Sequence, residues 1–171
     1  MDIREATDLD VPAVREIFAA AVAGGDALAP APGTAEAAFE PYWRTPGART
    51  FVAMLEQRIA GAYMLRPNAP GLGDHVANAG YIVAPAFRGR GVASAMCAHS
   101  LDAARAAGFR AMQFNFVVAT NAVAVELWKR HGFAVVGRVP RAFRHVALGE
   151  VDILIMHKTL DAGETRGDPR A

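Results

Sequence analysis

Residues 81–93, Tyr81-Ile82-Val83-Ala84-Pro85-Ala86-Phe87-Arg88-Gly89-Arg90-Gly91-Val92-Ala93, decide the reading of this chain. The apolar run to Val83 is strand-like, Pro85 stops it, and two glycines lead into a helix. Free amides at a helix start, with the positive end of the helix dipole behind them, make a seat for phosphate. Glycines let a ligand approach the backbone there, and Arg88 and Arg90 add positive charge. The same residues also fit a plain strand-to-helix turn with solvated arginines. A dinucleotide fingerprint fails, because Ser94 stands where a third glycine or alanine is needed and no acidic residue ends a following strand about 20 residues on. There is no Gly-Lys-Ser/Thr for a P-loop.

Working outward, the helix ends at Gly108 with Phe109 behind it, a C-terminal glycine followed by an apolar clasp. Residues 112–118 alternate as a strand, and Asn121 opens a second helix ending in Lys129-Arg130-His131-Gly132, again with a phenylalanine, Phe133, after the glycine. Strands are expected at about 133–138 and 150–158. On the N-terminal side, residues 2–6 read as a strand and Thr7 or Asp8 caps a helix running to about Gly24, with Pro12 in its first turn. Residues 25–47 are rich in Ala, Pro and Gly, with only a weak helical patch at 34–44. Strands at about 49–55 and 58–65 form a hairpin through Glu56-Gln57-Arg58, residues 67–73 are a loop, and 75–84 form the central strand. The order is strand, one or two helices, three strands, helix, strand, helix, two strands. It implies an α/β fold with a mixed sheet.

The 171 residues suggest one domain, at roughly 150 residues per domain, and a chain this long can bury about 70% of its unfolded surface. We assign 1–160 to a single domain and expect 161–171 to be a disordered tail. Eighteen basic against 17 acidic residues, a net charge of +1, give no footprint for nucleic acid. Apolar runs fall far short of the 18 or more residues that span a bilayer, and the start lacks the order of a signal peptide. A single cysteine, Cys97, supports neither a disulfide nor a metal cluster, so we expect no metal and a reducing, cytoplasmic setting. Cys97 itself reads as a buried, inert thiol.

Two asparagines, Asn78 and Asn115, fall in the middle of two strands on either side of the phosphate-seat helix. A buried amide needs partners, which the backbone or a ligand can supply. His75, with Asp74 beside it, is the first candidate for a base, although in a strand residues 75 and 78 face opposite sides unless a bulge intervenes. His99, His131, His145 and His157 fall on a helix face, a helix end, a loop and a terminal strand.

Arg88-x-x-Gly91-x-Ala93 and, about 30 residues on, Asn121-x-x-Ala124-x-x-Leu127-Trp128-x-x-x-Gly132-Phe133 together resemble the GNAT superfamily of N-acetyltransferases. Asn78-Ala79-Gly80-Tyr81 with Phe114-Asn115-Phe116-Val117-Val118-Ala119-Thr120-Asn121 is most similar to microbial members acting on small amines, including proline analogues. The resemblance implies a sheet of about seven strands flanked by helices and splayed between the fourth and fifth. Acetyl-CoA would lie in that gap, its pantetheine on backbone groups around Ile82 and Val83 and its pyrophosphate on Gly89, Arg90, Gly91, Val92 and Ala93. Asn115 and Asn121 would face the cofactor, and Asn78 would hold the acceptor. Asn121 also fits a plain N-cap. The superfamily's usual tyrosine acid is replaced by Trp128, whose indole donates a hydrogen bond but no proton, so a packing role is expected. The implied reaction is direct acetyl transfer to a small-molecule amine, with a homodimer as an expected assembly. The alternatives are a protein N-terminal acetyltransferase and a non-catalytic acetyl-CoA-binding module.

Overall fold

The computed structural model describes residues 1–160; the tail expected at 161–171 lies outside them. In chain order the elements are β1 (Asp2–Glu5), α1 (Val11–Gly24), α2 (Ala35–Trp43), β2 (Arg49–Leu55), β3 (Arg58–Pro67), β4 (Val76–Val83), α3 (Val92–Ala106), β5 (Ala111–Val118), α4 (Ala122–Arg130), β6 (Ala134–His145) and β7 (Gly149–Thr159). They form the expected mixed α/β architecture, one seven-stranded sheet in the order β1-β2-β3-β4-β5-β7-β6.

All pairs are antiparallel except β4 with β5, which run parallel and keep register only at Val76↔Ala111 and Ala77↔Met112. Beyond those residues the two strands part, which is the expected splay between the fourth and fifth. Small residues along β2 to β4 let helices pack close on both faces. Val52, Ala62, Met64 and Ile82 meet Val14, Phe18 and Val22 of α1. Tyr63, Leu65, Ala77 and Ala79 meet Met96, Cys97 and Leu101 of α3. Alternation along the strands sends neighbouring residues to these opposite cores.

Two elements differ from expectation. The weak patch at 34–44 is a helix, α2, despite Pro41 inside it. Phe39 and Trp43 are almost fully buried against Phe18, at ring-centroid distances of 5.5 and 6.0 Å, so tertiary packing decides a segment of poor intrinsic pattern. The strand expected at 133–138 runs on to His145, past Pro140 and the left-handed Arg141 (φ 50). Pairing to β7 breaks between Val139 and Phe143 and resumes, a bulge that an edge strand tolerates.

The turn leading into α1 is held by a small network. Asp10 accepts from Arg4 Nη1 (2.7 Å) and Nη2 (2.8 Å) and from the Thr7 amide and hydroxyl (2.7 and 2.9 Å). The Arg4 guanidinium holds its carboxyl well below the usual carboxylate range, against the opposing effect of burial.

Candidate active site

A cavity of about 330 Å³ opens where β4 and β5 diverge. One wall is Asn78, Ala79, Gly80 and Tyr81 of β4. The other is residues 114–118 of β5, with Asn121, Ala124 and Trp128 of α4 beyond. On the α1–α2 side it is bounded by residues 27–29, Tyr42, Met64 and Arg66. It thus runs through the sheet from one face towards the other.

The main-chain groups turned to this gap follow from pairing parity. In β4 the Val76 carbonyl and the Ala84 amide, which continues the strand, bond towards β3, and the His75 carbonyl towards β5, through Arg110. Even-numbered residues therefore use their N–H and C=O on β3, and odd-numbered ones face β5. Val83 presents main-chain groups to the gap. Ile82 does not: its main chain faces β3 and its side chain is buried in the α1 core.

Asn78 is 8% exposed and sits at the vertex of the splay, its Nδ2 donating to the Gln113 carbonyl at 2.8 Å. Had the parallel ladder continued, a β4 amide would have served that carbonyl. The splay removes it and the asparagine takes its place. Its Oδ1 has no protein partner among the described residues. Asn115 lies in a β5 bulge between Phe114 and Val117, accepts from Gln113 Nε2 (2.8 Å) and donates to Asn68 Oδ1 (2.7 Å). It is exposed, in contrast to the buried amide its mid-strand position suggests. Asn121 Oδ1 accepts from the Ala124 amide at 3.1 Å, capping α4, and the residue also lines the cavity.

At the end of β4, Gly89 (φ 74) and Gly91 (φ 78) adopt left-handed conformations, and a Cβ built on either meets nothing within 4 Å. Gly91 opens α3 with no side-chain cap, so the first-turn amides of Val92 and Ala93 have no intrahelical partner. These features fit the seating of a pyrophosphate. Arg88 is exposed and makes no ion pair among the described residues. Arg90 is not free as expected: it pairs with Glu56 in the β2–β3 turn and lies 5.4 Å from the Phe87 ring centroid.

Trp128 is buried, 4.8 Å from Tyr81 and 5.0 Å from Phe114 between ring centroids, a packing position as its spacing on α4 indicates. The Tyr81 hydroxyl turns away to Ser100 Oγ at 2.6 Å, and burial raises its pKa well above 10. His75 is not brought to the cavity. It is exposed in the turn before β4, because the strand begins one residue later than expected and the chain there curls around residues 71–74. Among the described residues no Asp, Glu or His lines the cavity. Cys97 is fully buried, and burial pushes its thiol up to about 12, consistent with an inert role. Sequence reasoning missed Tyr42, Met64, Arg66 and Gln113. Their one signal, an arginine in an otherwise apolar strand, concerned Arg66 alone.

A second concavity, about 280 Å³, lies between β1, β2 and the α1–α2 pair. Its Arg49 is already paired with Glu5 at 2.8 Å. No helix among the described residues is long and apolar enough to cross a membrane.

The family model described as "Acetyltransferase (GNAT) family" matches residues 13–133. A GCN5-related N-acetyltransferase structure from Kribbella flavida is 44% identical, with TM-score 0.85, over 92% of this chain and 96% of that one. The N-acetyltransferase aca1 of Schizosaccharomyces pombe is 35% identical over 86 residues, 50% of this chain; the match spans only 41% of that relative's length. A GNAT-superfamily phosphinothricin acetyltransferase from Sinorhizobium meliloti, solved in complex with acetyl-CoA, shares the fold at 18% identity, with TM-score 0.81 over 99% of this chain and 95% of that one.

Proposed function

The chain belongs to the acetyltransferase (GNAT) family, and on that premise we propose that it moves the acetyl group of acetyl-CoA directly onto the amine of a small molecule. The observation that carries this reading is the cavity that begins at the splay vertex and joins the α1–α2 side to α4, with the uncapped start of α3 following the end of β4. The names of two of the similar proteins point the same way, one being an N-acetyltransferase and the other named for a small molecule.

Bound acetyl-CoA supplies an activated acyl carbon. The amides from Gly89 to Ala93 hold its pyrophosphate, assisted by Arg88, and Val83 main-chain groups and the Asn121 amide hold its pantetheine arm. Trp128, Phe114 and Tyr81 exclude water from one side of the gap. Asn115 faces the cofactor from β5, and Asn78 presents its amide group to the acceptor. The acceptor must lose a proton, since an alkyl ammonium has pKa about 10. Among the described residues the cavity wall offers no carboxylate or imidazole, and the proton goes to water at the mouth. The amine nitrogen then bonds to the acyl carbon as the carbon–sulfur bond breaks, and the second proton it must shed to become an amide passes by way of water to the departing thiolate. The thiolate leaves without a protein acid, which a thiol pKa of about 8.5 permits.

The test is acetyl-CoA-dependent release of free thiol by the full chain with amino acids, cyclic imino acids, amine herbicides and polyamines, and with peptides as the contrasting set. Release with at least one small amine and none with peptides is expected. Release with peptides alone would make the chain a protein N-terminal acetyltransferase. Binding of acetyl-CoA with no release from any amine would make it a non-catalytic module.

A further inference from the structure

We infer that Arg66 reads an anionic group on the acceptor, so that the site takes amines carrying a carboxylate or related anion and rejects simple cationic amines. This rests on the acetyl-transfer reading above and names the acceptor's chemistry. Arg66 lies on β3, paired in register with Asn78 on β4, and alternation puts it on the same face as Met64, towards α1 and α2. It is half-buried and lines the acceptor side of the cavity.

Arg66 differs from the arginines that ion pairs already occupy. Arg4, Arg15, Arg49, Arg90, Arg105 and Arg138 each hold a carboxylate. Arg66 makes only a neutral contact, Nη1 donating to Thr45 Oγ1 at 2.9 Å. Among the described residues no acidic side chain lines the cavity to balance it. A half-buried guanidinium has lost part of its hydration, and a planar fork of donors matches a two-oxygen anion. Tyr42, on the same wall, stays protonated because burial raises its pKa, and it can donate beside the guanidinium.

The same charge disfavours an ammonium and favours the free amine, the form that attacks. An acceptor with its anion on Arg66 would have its nitrogen towards Asn78 and the gap. A polyamine or alkylamine would bring further positive charge to a wall whose described residues carry none of the opposite sign.

The experiment compares an α-amino acid with its primary amide and its decarboxylated amine, in thiol release by the parent, Arg66→Gln and Arg66→Lys. In the parent the acid should lead the amide in kcat/KM by on the order of 10- to 100-fold, the usual range for a charge-assisted pair. Arg66→Gln should abolish that lead, the acid losing far more through its KM than the amide does, while the acetyl-CoA Kd is kept. Arg66→Lys should restore part of it. Equal rates for acid and amide in the parent, or a lead that survives Arg66→Gln, overturn the inference while acetyl transfer stands. Should no acceptor release thiol, the transfer reading fails. The anion site is then judged by thermal shift with N-acetylglycine against N-acetylglycinamide: an acid-selective shift lost in Arg66→Gln supports it, and equal or absent shifts overturn it.

Discussion

Helices α3 and α4 stop alike and start differently. Gly108 and Gly132 both take φ 85, and each is followed by a phenylalanine whose amide bonds back five residues, Phe109 to Ala104 and Phe133 to Trp128. The two helices are also tied together, Ser94 Oγ lying 2.9 Å from His131 Nε2. At its start, however, α4 is sealed by Asn121, whereas α3 begins at a left-handed glycine with no cap. A stop needs only to end the helix, so both use the same device. A start left unsealed exposes donors, and α3's lies in the loop that follows β4, the strand walling the gap.

That contrast can be broken at several points. The largest effect is expected inside α4: Trp128→Ala should cost about 3–5 kcal/mol in thermal unfolding, as for other buried aromatics, because its ring fills the space between Tyr81 and Phe114. Trp128→Phe should keep most of the turnover. A folded Phe variant that is inactive at saturating cofactor would show the indole N–H at work in the chemistry. Next, Gly91→Glu should weaken acetyl-CoA binding in calorimetry by at least about 100-fold, near 3 kcal/mol. The new side chain meets no protein atom, so the variant should still fold, with only the strain of a left-handed non-glycine residue.

Asn78→Ala strips the Gln113 carbonyl of its partner and should lower stability by about 1–3 kcal/mol. A rise in acceptor KM beyond that would assign its free oxygen to the substrate; unchanged kinetics would leave it the pin of the vertex. The turn leading into α1 offers a third case, tied back to β1 by a charge. Because the Asp10 carboxyl titrates below its unfolded value of about 3.9, its contribution is present above that pH and lost as acid protonates it. Asp10→Asn should lower stability at neutral pH and flatten the fall of melting temperature below pH 4. Smallest is Asn121→Ala, about 1 kcal/mol for a lost cap. Asn121→Asp keeps the cap but removes the amide donor, so a fall in acetyl-CoA affinity with normal stability would separate the two roles.

What the sequence disclosed was local and periodic. The hairpin at Glu56-Gln57, both left-handed at φ 53 and 60, the glycine loop and both helix stops are written in neighbouring residues. The α2 helix was not legible, because it is held by Phe39 and Trp43 reaching Phe18 from a poorly patterned segment. Nor was the partner of Asn78. Composition marks a mid-strand amide as needing one, but only the parting of two strands creates the bereft carbonyl that claims it. Arg66 escaped notice for the same reason, since an arginine on a strand becomes informative only when its neighbours prove to hold no acid. His75 failed on a shift of one residue in where the strand begins.

The seam between β4 and β5 has a bearing on how the molecule comes together. The backbone crosses it once, through α3, so residues 2–83 and 111–159 each build their own half-sheet. The first half is a meander of hairpins, except that β1 joins β2 across the two N-terminal helices; the second is closed by the β6–β7 hairpin and the return of β7 beside β5. Most contacts therefore lie within a half, the condition under which local structure forms quickly. Docking of two nearly finished halves through two register pairs becomes the late step. Chain halves expressed separately, divided in the loop after α3, should complement one another, and a ligand lying along the seam would hasten their joining.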